Sequence, residues 1–337
     1  MPIVEEGGLS IAIIGATGCI GKELGHEIPL HLPIRNLHLF ATKKRVGDTV
    51  SIENSTFEVK PFPAEGLPVE VMEDVDAVFF ACPAPLVLAH APTLAEEGIA
   101  VFDLTGTMSS EVGYSAFGLV PNEEGFSSTR ICVLPSPTAT ALARVFRPLK
   151  GMGAWGFQAN VTLSASRFGM SGIEELSQQV MALFSTSEPK KKVFPNGLAF
   201  DILPVLGAVQ EDGETSAEKQ VNQELANLLR IGPQYFRTTI NLAPIFSGIS
   251  CNVTVSMGTE VPLVEVIERL KEEDLLTVDE VSHSTRDLIG DKGVIVSRIR
   301  ENPLVRGFDL WVGCDNVATT VHQAVKMMEY YHLVGLL

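Results

Sequence analysis

Ile11-Ala12-Ile13-Ile14-Gly15-Ala16-Thr17-Gly18-Cys19-Ile20-Gly21 is the stretch from which the rest of the chain can be read. Its four leading apolar residues read as a strand buried on both faces. Glycine then stands at the first, fourth and seventh positions of the turn, and Lys22-Glu23-Leu24 opens a helix. Glycine accepts the positive φ of a tight turn and lets a phosphate approach bare backbone. The helix start adds unpaired N–H groups and the positive end of its dipole. Strand, glycine turn and helix in this order are the context in which such a motif holds a dinucleotide. The competing reading is a turn that only packs helix against strand. Gly15, Thr17, Gly18, Cys19, Ile20 and Gly21 are therefore candidate cofactor-binding residues.

Outward from the turn, short apolar runs alternate with helical patterns. Leu37-His38-Leu39-Phe40-Ala41, Ala77-Val78-Phe79-Phe80-Ala81, Ala100-Val101-Phe102-Asp103-Leu104 and Ile131-Cys132-Val133-Leu134 read as further strands. Residues 86–97 carry helical spacing. Repeated β-α-β units with continuously apolar strands predict α/β architecture, a doubly wound parallel sheet covered on both faces. After Leu149 the texture changes. Residues 155–165 and 249–257 alternate with the period of antiparallel strands, and residues 173–184, 216–229 and 316–331 look helical. This predicts an α+β second domain with a mixed or antiparallel sheet, of a kind that often pairs between subunits.

The chain has 337 residues, too many for one ordinary core. Its net charge is −16, which argues against nucleic acid or an anionic membrane as partner. The five cysteines are scattered without a C-x-x-C pair, and most sit in or beside apolar runs. They read as reduced, buried thiols. The start of the chain lacks a basic segment followed by an apolar one, and no stretch reaches membrane-spanning length. A cytoplasmic location is expected.

In a dinucleotide fold the end of the second strand meets the adenosine ribose. Here that point carries Thr42-Lys43-Lys44-Arg45. An acidic residue would favour NAD, whereas cations accommodate the 2′-phosphate of NADP. Read alone, these cations are an ordinary exposed basic turn; behind the glycine motif they predict NADP. Cys82 and Pro83, at the end of the third strand, should line the same crevice.

Taken together, these pieces resemble aspartate-semialdehyde dehydrogenases along nearly the full length, and most of all their divergent Usg-type branch. Besides the glycine turn and the basic turn, the resemblance rests on Val101-Phe102-Asp103-Leu104-Thr105, Ser171-Gly172-Ile173-Glu174-Glu175-Leu176 and Phe200-Asp201-Ile202-Leu203-Pro204. Pro244-Ile245-Phe246-Ser247-Gly248, Val296-Ser297-Arg298-Ile299-Arg300, Leu310-Trp311-Val312 and Asp315-Asn316 complete it. It implies an NADP domain over 1–135 and a catalytic-like, dimerising α+β domain over 136–315. A C-terminal helix over 316–337 would return to the first domain, in a homodimer with a small-molecule cleft.

The family reaction implied by the resemblance uses a cysteine thiolate at a helix start, hydride transfer to NADP and cleavage of the thioester by phosphate. No cysteine stands in Pro135-Ser136-Pro137-Thr138-Ala139. Thr138 takes its place, or Pro137 by an alignment shift of one, and a threonine hydroxyl is a poor nucleophile without a base. Leu163 aligns with the family's glutamine, Leu242 with its substrate-binding arginine and Ile249 with its histidine base. Ser109 aligns with the phosphate-binding arginine, and Ala217 and Gln220 with an acid–lysine pair that a slip of one would move to Glu218 and Lys219. Three readings stay open: a non-catalytic nucleotide-binding homologue, an NADP-dependent oxidoreductase on a less charged carbonyl substrate, and a purely structural dimer. No zinc-ligand spacing is present. Cys132 and Cys251 read as core, His90 and His283 as surface residues, and Arg167 either recharges the cleft or is exposed.

Overall fold

The structure, a computed structural model, describes residues 4–41, 47–52, 55–63, 66–116, 119, 129–185, 187–189, 191–281 and 283–337. Thr42, Lys43, Lys44 and Arg45 lie outside the described residues. Packing divides the chain into two compact units, residues 1–136 with 320–337, and residues 137–319.

The first unit is built on a seven-stranded sheet. Its strands are β1 (Val4–Ile14), β2 (Ile34–Ala41), β3 (Thr49–Ile52), β4 (Ser55–Pro61), β5 (Ala77–Phe80), β6 (Ala100–Asp103) and β7 (Ile131–Val133), in the order β3-β4-β2-β1-β5-β6-β7. Every pairing is parallel except β3 with β4. β5 and β6 are buried at every position, as strands covered on both faces must be. Phe79 and Phe102 stack at 4.5 Å between ring centres, and Tyr331 of the returning chain lies 5.1 Å from Phe102. Helices α1 (Cys19–His31), α2 (Val69–Met72), α3 (Ala84–Glu96) and α4 (Ser109–Val112) lie between the strands in sequence. The short pair β3 and β4 has no counterpart in the sequence reading. Its burial alternates over only four residues in β3, too few for the pattern to stand out.

The second unit contains a six-stranded mixed sheet. β8 (Ala154–Leu163), β9 (Phe236–Leu242), β10 (Ile249–Met257), β11 (Leu276–Asp279), β12 (Val294–Glu301) and β13 (Gly307–Cys314) run in the order β11-β12-β13-β10-β8-β9. The central pairs are antiparallel, while β8 with β9 and β11 with β12 are parallel. One sheet face is buried under α5 (Pro137–Gly151), α7 (Ser216–Leu229) and α8 (Leu263–Lys271). The opposite face exposes Gln158, Asn160 and Asn252 between buried neighbours, the alternation of a half-covered sheet. α6 (Gly169–Phe184) follows β8 through a short 3-10 turn. α9 (Asn316–Leu333) follows β13 and carries the chain back into the first unit. One strand boundary corrects the sequence reading: β8 stops at Leu163, short of residue 165, while α5 begins at Pro137, so Thr138 lies inside its first turn.

Candidate functional site

One candidate site is the carboxyl edge of the parallel sheet in the first unit. β1 has β2 on one side and β5 on the other, so the connections leaving β1 and β5 diverge and leave a crevice between them. Gly15 occupies that point with φ +98°, and a Cβ there would sit 2.2 Å from the Ala81 carbonyl oxygen. Only glycine fits both the conformation and the approach. The N–H groups of Gly15 and Ala16 both donate to the Phe40 carbonyl at 2.8 and 3.0 Å, which ties the turn to the end of β2. A Cβ on Gly21 would meet the Gly15 carbonyl at 2.2 Å, so α1 seats directly on the turn. Gly18 caps α1 with no side chain occupying the cap, and its own N–H donates back to the Gly15 carbonyl at 3.0 Å, so the helix start faces the turn. Thr17, Gly18, Cys19 and Ile20 are half-buried around this mouth.

Cys82 and Pro83 follow β5 at the same edge, with Pro83 as the cap residue of α3. Cys82 is half-buried, and its desolvation, helped by the Asp103 charge, pushes its thiol up to about 12. Asp103 is fully buried and holds the loop after β6, accepting from the Thr105 N–H at 2.8 Å, its hydroxyl at 2.6 Å and the Met108 N–H at 2.9 Å.

A second candidate region lies within the other unit, described by itself. Val294, Cys314, Ile249, Leu163 and Leu242 form one row across five strands. Val294 pairs with Cys314, Cys314 with Ile249, and Leu163 with Leu242. Ser250 opposite Thr162 sets Ile249 beside Leu163. All five are buried, and Leu163, the most exposed, is 4% exposed. Thr138 is also buried at 4% in the first turn of α5. The thiols of this unit are equally inert. Burial pushes Cys314 up to about 12, and burial with Cys314 as neighbour pushes Cys251 well above the ordinary thiol range. In the first unit, Cys132 is raised by complete burial.

Other singled-out residues find structural partners. Glu218 is the third helical residue of α7, where its carboxylate accepts from the Thr215 N–H while the Thr215 hydroxyl accepts from the Glu218 N–H. Its other oxygen accepts from the Ile240 N–H at 2.8 Å, so it joins α7 to β9. Lys219 pairs with Asp212 at 2.8 Å on the surface. Ala217 and Gln220 flank them on the same helix. Ser109 opens the short α4. His90 rests edge-on against Phe62, His283 lies 2.9 Å from Asp279, and Arg167 is exposed. Both histidines are half-buried and partnered, which corrects the expectation of plain surface histidines.

The hub near the end of β10 escaped the sequence reading. Asn316 is buried, and its side-chain oxygen accepts from the Ser166 hydroxyl at 2.9 Å, the Gly248 N–H at 3.1 Å and the Ser247 hydroxyl at 3.5 Å. Asp315 caps the same helix by accepting from the Val317 N–H at 2.8 Å. The Asp-Asn pair ahead of a helical pattern was a visible capping signal; its long-range partners were not. Among the described residues no cluster of three or more His, Cys, Asp or Glu could hold a metal, and no helix is long and apolar enough to cross a membrane.

Two family models cover most of this architecture. Residues 10–125 match the NAD binding domain of semialdehyde dehydrogenase, and residues 156–319 match its dimerisation domain. The chain belongs to the semialdehyde dehydrogenase family. It is 29% identical over 325 residues to a USG-1 protein homolog of Pseudomonas aeruginosa, covering 92% of this chain and 93% of that one. An aspartate-semialdehyde dehydrogenase of Rickettsia bellii is 26% identical over 323 residues, covering 91% and 93%. A solved structure of a probable aspartate-semialdehyde dehydrogenase from Pseudomonas aeruginosa superposes with a TM-score of 0.86 at 26% identity, covering 96% and 98%. The semialdehyde dehydrogenase family thus accounts for the parallel sheet with its glycine turn and for the mixed sheet of the second unit.

Proposed function

We propose that this chain is an NADP-binding semialdehyde dehydrogenase homologue that does not carry out the family's phosphorylating dehydrogenation. The observation that carries this reading is the buried apolar row containing Leu163, Leu242 and Ile249. The resemblance expects glutamine, arginine and histidine at these three positions. A dianionic substrate placed against such a wall would lose its hydration without gaining a cation, at a cost of about several kcal/mol. Thr138 stands where the family's nucleophile is expected, and its neutral hydroxyl has no thiolate character. Cys82, Cys132, Cys251 and Cys314 cannot substitute, because burial keeps all four protonated near neutral pH.

The cofactor reading rests on the glycine turn at the carboxyl edge of the parallel sheet, where α1 starts without a side-chain cap. Backbone N–H groups at Ile20 and Gly21 would take the pyrophosphate, and Thr17, Gly18 and Cys19 would flank it. Lys43, Lys44 and Arg45, with Thr42, would receive the 2′-phosphate of the adenosine ribose, and Cys82 and Pro83 would border the crevice. Bound NADP would supply a hydride acceptor. A homodimer is favoured by the dimerisation-domain match and by the polar outer face of the mixed sheet. The strong negative charge disfavours nucleic acid or an anionic membrane as partner, and the scattered, unpaired cysteines favour a cytoplasmic location. An oxidoreductase acting on a less charged carbonyl compound is the second reading, favoured by the same apolar row.

The test joins kinetics to calorimetry. With NADP, phosphate and aspartate semialdehyde, the purified protein should form no NADPH above background. Robust turnover that Thr138→Ala abolishes would overturn the proposal. Titration with NADP should release heat, and replacing Lys43, Lys44 and Arg45 together by alanine should weaken NADP more than NAD. No heat with either nucleotide would leave only a structural dimer.

A further inference from the structure

The end of α6 and the chain that follows it hold apolar side chains in solvent. Phe184, the last residue of α6, is 79% exposed, and Phe200 is 69% exposed. Their rings meet edge-on at 6.0 Å between centres. Met181, one turn before Phe184, is exposed as well, and so is Ile202. Single exposed apolar residues are ordinary, whereas a contiguous patch marks an interaction surface.

The patch is held out by its surroundings. Phe200 has φ +62°, in the left-handed region that is costly for a bulky side chain. Two buried side chains of α6 fix the chain ahead of it. The Glu175 carboxylate accepts from the N–H groups of Lys192, Val193 and Phe194 at 2.9, 2.7 and 2.9 Å. The Gln179 side-chain oxygen accepts from Leu198 and Ala199 at 2.7 and 3.1 Å. The Asp201 N–H donates to the Leu198 carbonyl at 3.0 Å and closes the turn on which Phe200 stands. Beyond that turn, Leu203 and Leu242 exchange backbone hydrogen bonds of 2.9 Å in both directions, as an antiparallel bridge. Leu242 belongs to β9, the last strand of the mixed sheet, so the bridge extends that edge. Directly opposed residues of an antiparallel pair share a face, and their neighbours take the other. Ile202 therefore lies on the side of Asn241, which donates to Asn160 on the outer face. The apolar patch borders that face.

We infer that the Phe184 and Phe200 rings anchor a contact with a second copy of this chain. The inference rests on the proposed homodimer and adds the side chains that hold it together. Two observations choose a second copy as the occupant. Both residues lie within the match to the dimerisation domain, residues 156–319. The patch also adjoins an outer sheet face whose exposed Gln158, Asn160 and Asn252 are amides, which supply complementarity without an apolar anchor. Homodimer contacts are more apolar than the remaining surface, and buried aromatic rings carry much of their energy. A two-fold contact uses the same pair in each copy.

Sedimentation equilibrium on the full chain tests it with two variants and a control. Phe200→Gly removes one ring and also relieves the left-handed backbone, so strain in the fold cannot account for a lost dimer. Phe184→Ser removes the other ring. Val264→Ser alters an exposed apolar residue of α8, on the helix-covered side of the sheet. The wild type should be a dimer at micromolar concentration. Each phenylalanine variant should raise the dissociation constant by about tenfold or more with the far-ultraviolet spectrum unchanged, and Val264→Ser should leave it as it was. A dimeric wild type whose constant neither phenylalanine variant moves overturns the inference and leaves the homodimer resting on the sheet face alone. Equal weakening by Val264→Ser overturns it too. A monomeric wild type overturns the homodimer and its anchor together.

Discussion

At Leu163 the chain ends β8 on a branched aliphatic side chain, held between Leu242 and Ile249 on the neighbouring strands. The three share one buried face, so each fills space that the other two define. Leu163→Ala would leave a void in that row and should lower unfolding stability by about 2–5 kcal/mol, read from the shift of a urea midpoint at unchanged slope. A catalytic amide at this position would have had to be paired; leucine needs only contact. The residue types here were legible as departures from the family pattern. Their assembly into a continuous row was not, because the register of five strands is set by pairings between residues far apart in sequence.

Elements show the same division. α6 was visible from its spacing, but the role of Glu175 in it was not, since the three N–H groups it accepts lie 17 to 19 residues further on. Burial works to raise the Glu175 carboxyl, and the backbone donors with Gln179 outweigh it, so the group ionises below its ordinary range. The native carboxyl is therefore depressed relative to the unfolded value of about 4.3. Its contribution to stability is present above that value and is lost as pH falls from there through the native one. Glu175→Gln should cost about 1.5–3 kcal/mol at neutral pH, and its urea midpoint should fall less steeply below pH 4.5 or so than that of the wild type. Equal acid sensitivity of the two proteins would contradict this account. α7 is the contrary case. Thr215 and Glu218 spell a capping box in the sequence, and that local rule explains what a catalytic alignment could not.

For the molecule as a whole, the outer face of the mixed sheet is the surface with most to explain. Asn252 sits on its central strand, exposed between Asn160 on β8 and Trp311 on β13. Asn241 donates to Asn160 at 3.1 Å on the same face, and Trp311 donates to Ser250 at 2.7 Å. A flat face of short amides and hydroxyls suits a self-complementary contact, where each patch meets its own copy. Sedimentation should therefore give a dimer at micromolar concentration. Asn252→Lys, which sets like charges against each other across a two-fold axis, should shift it to monomer with the far-ultraviolet spectrum unchanged. A monomeric wild type would remove the basis for the dimer.

Periodicity and the glycine turn were enough to determine the parallel sheet, its nucleotide-type crevice and a second unit of different texture. These are local properties: an apolar run, a positive φ and a helix start lie within a dozen residues of one another. Only the tertiary structure decided that Leu163, Leu242 and Ile249 form one apolar wall. It also decided that the Glu218 carboxylate reaches the Ile240 N–H on β9 and that Cys132, Cys251 and Cys314 are buried. Such properties depend on which distant strands share a register and on how much water each side chain loses, and neither quantity is written in the order of residues along the chain.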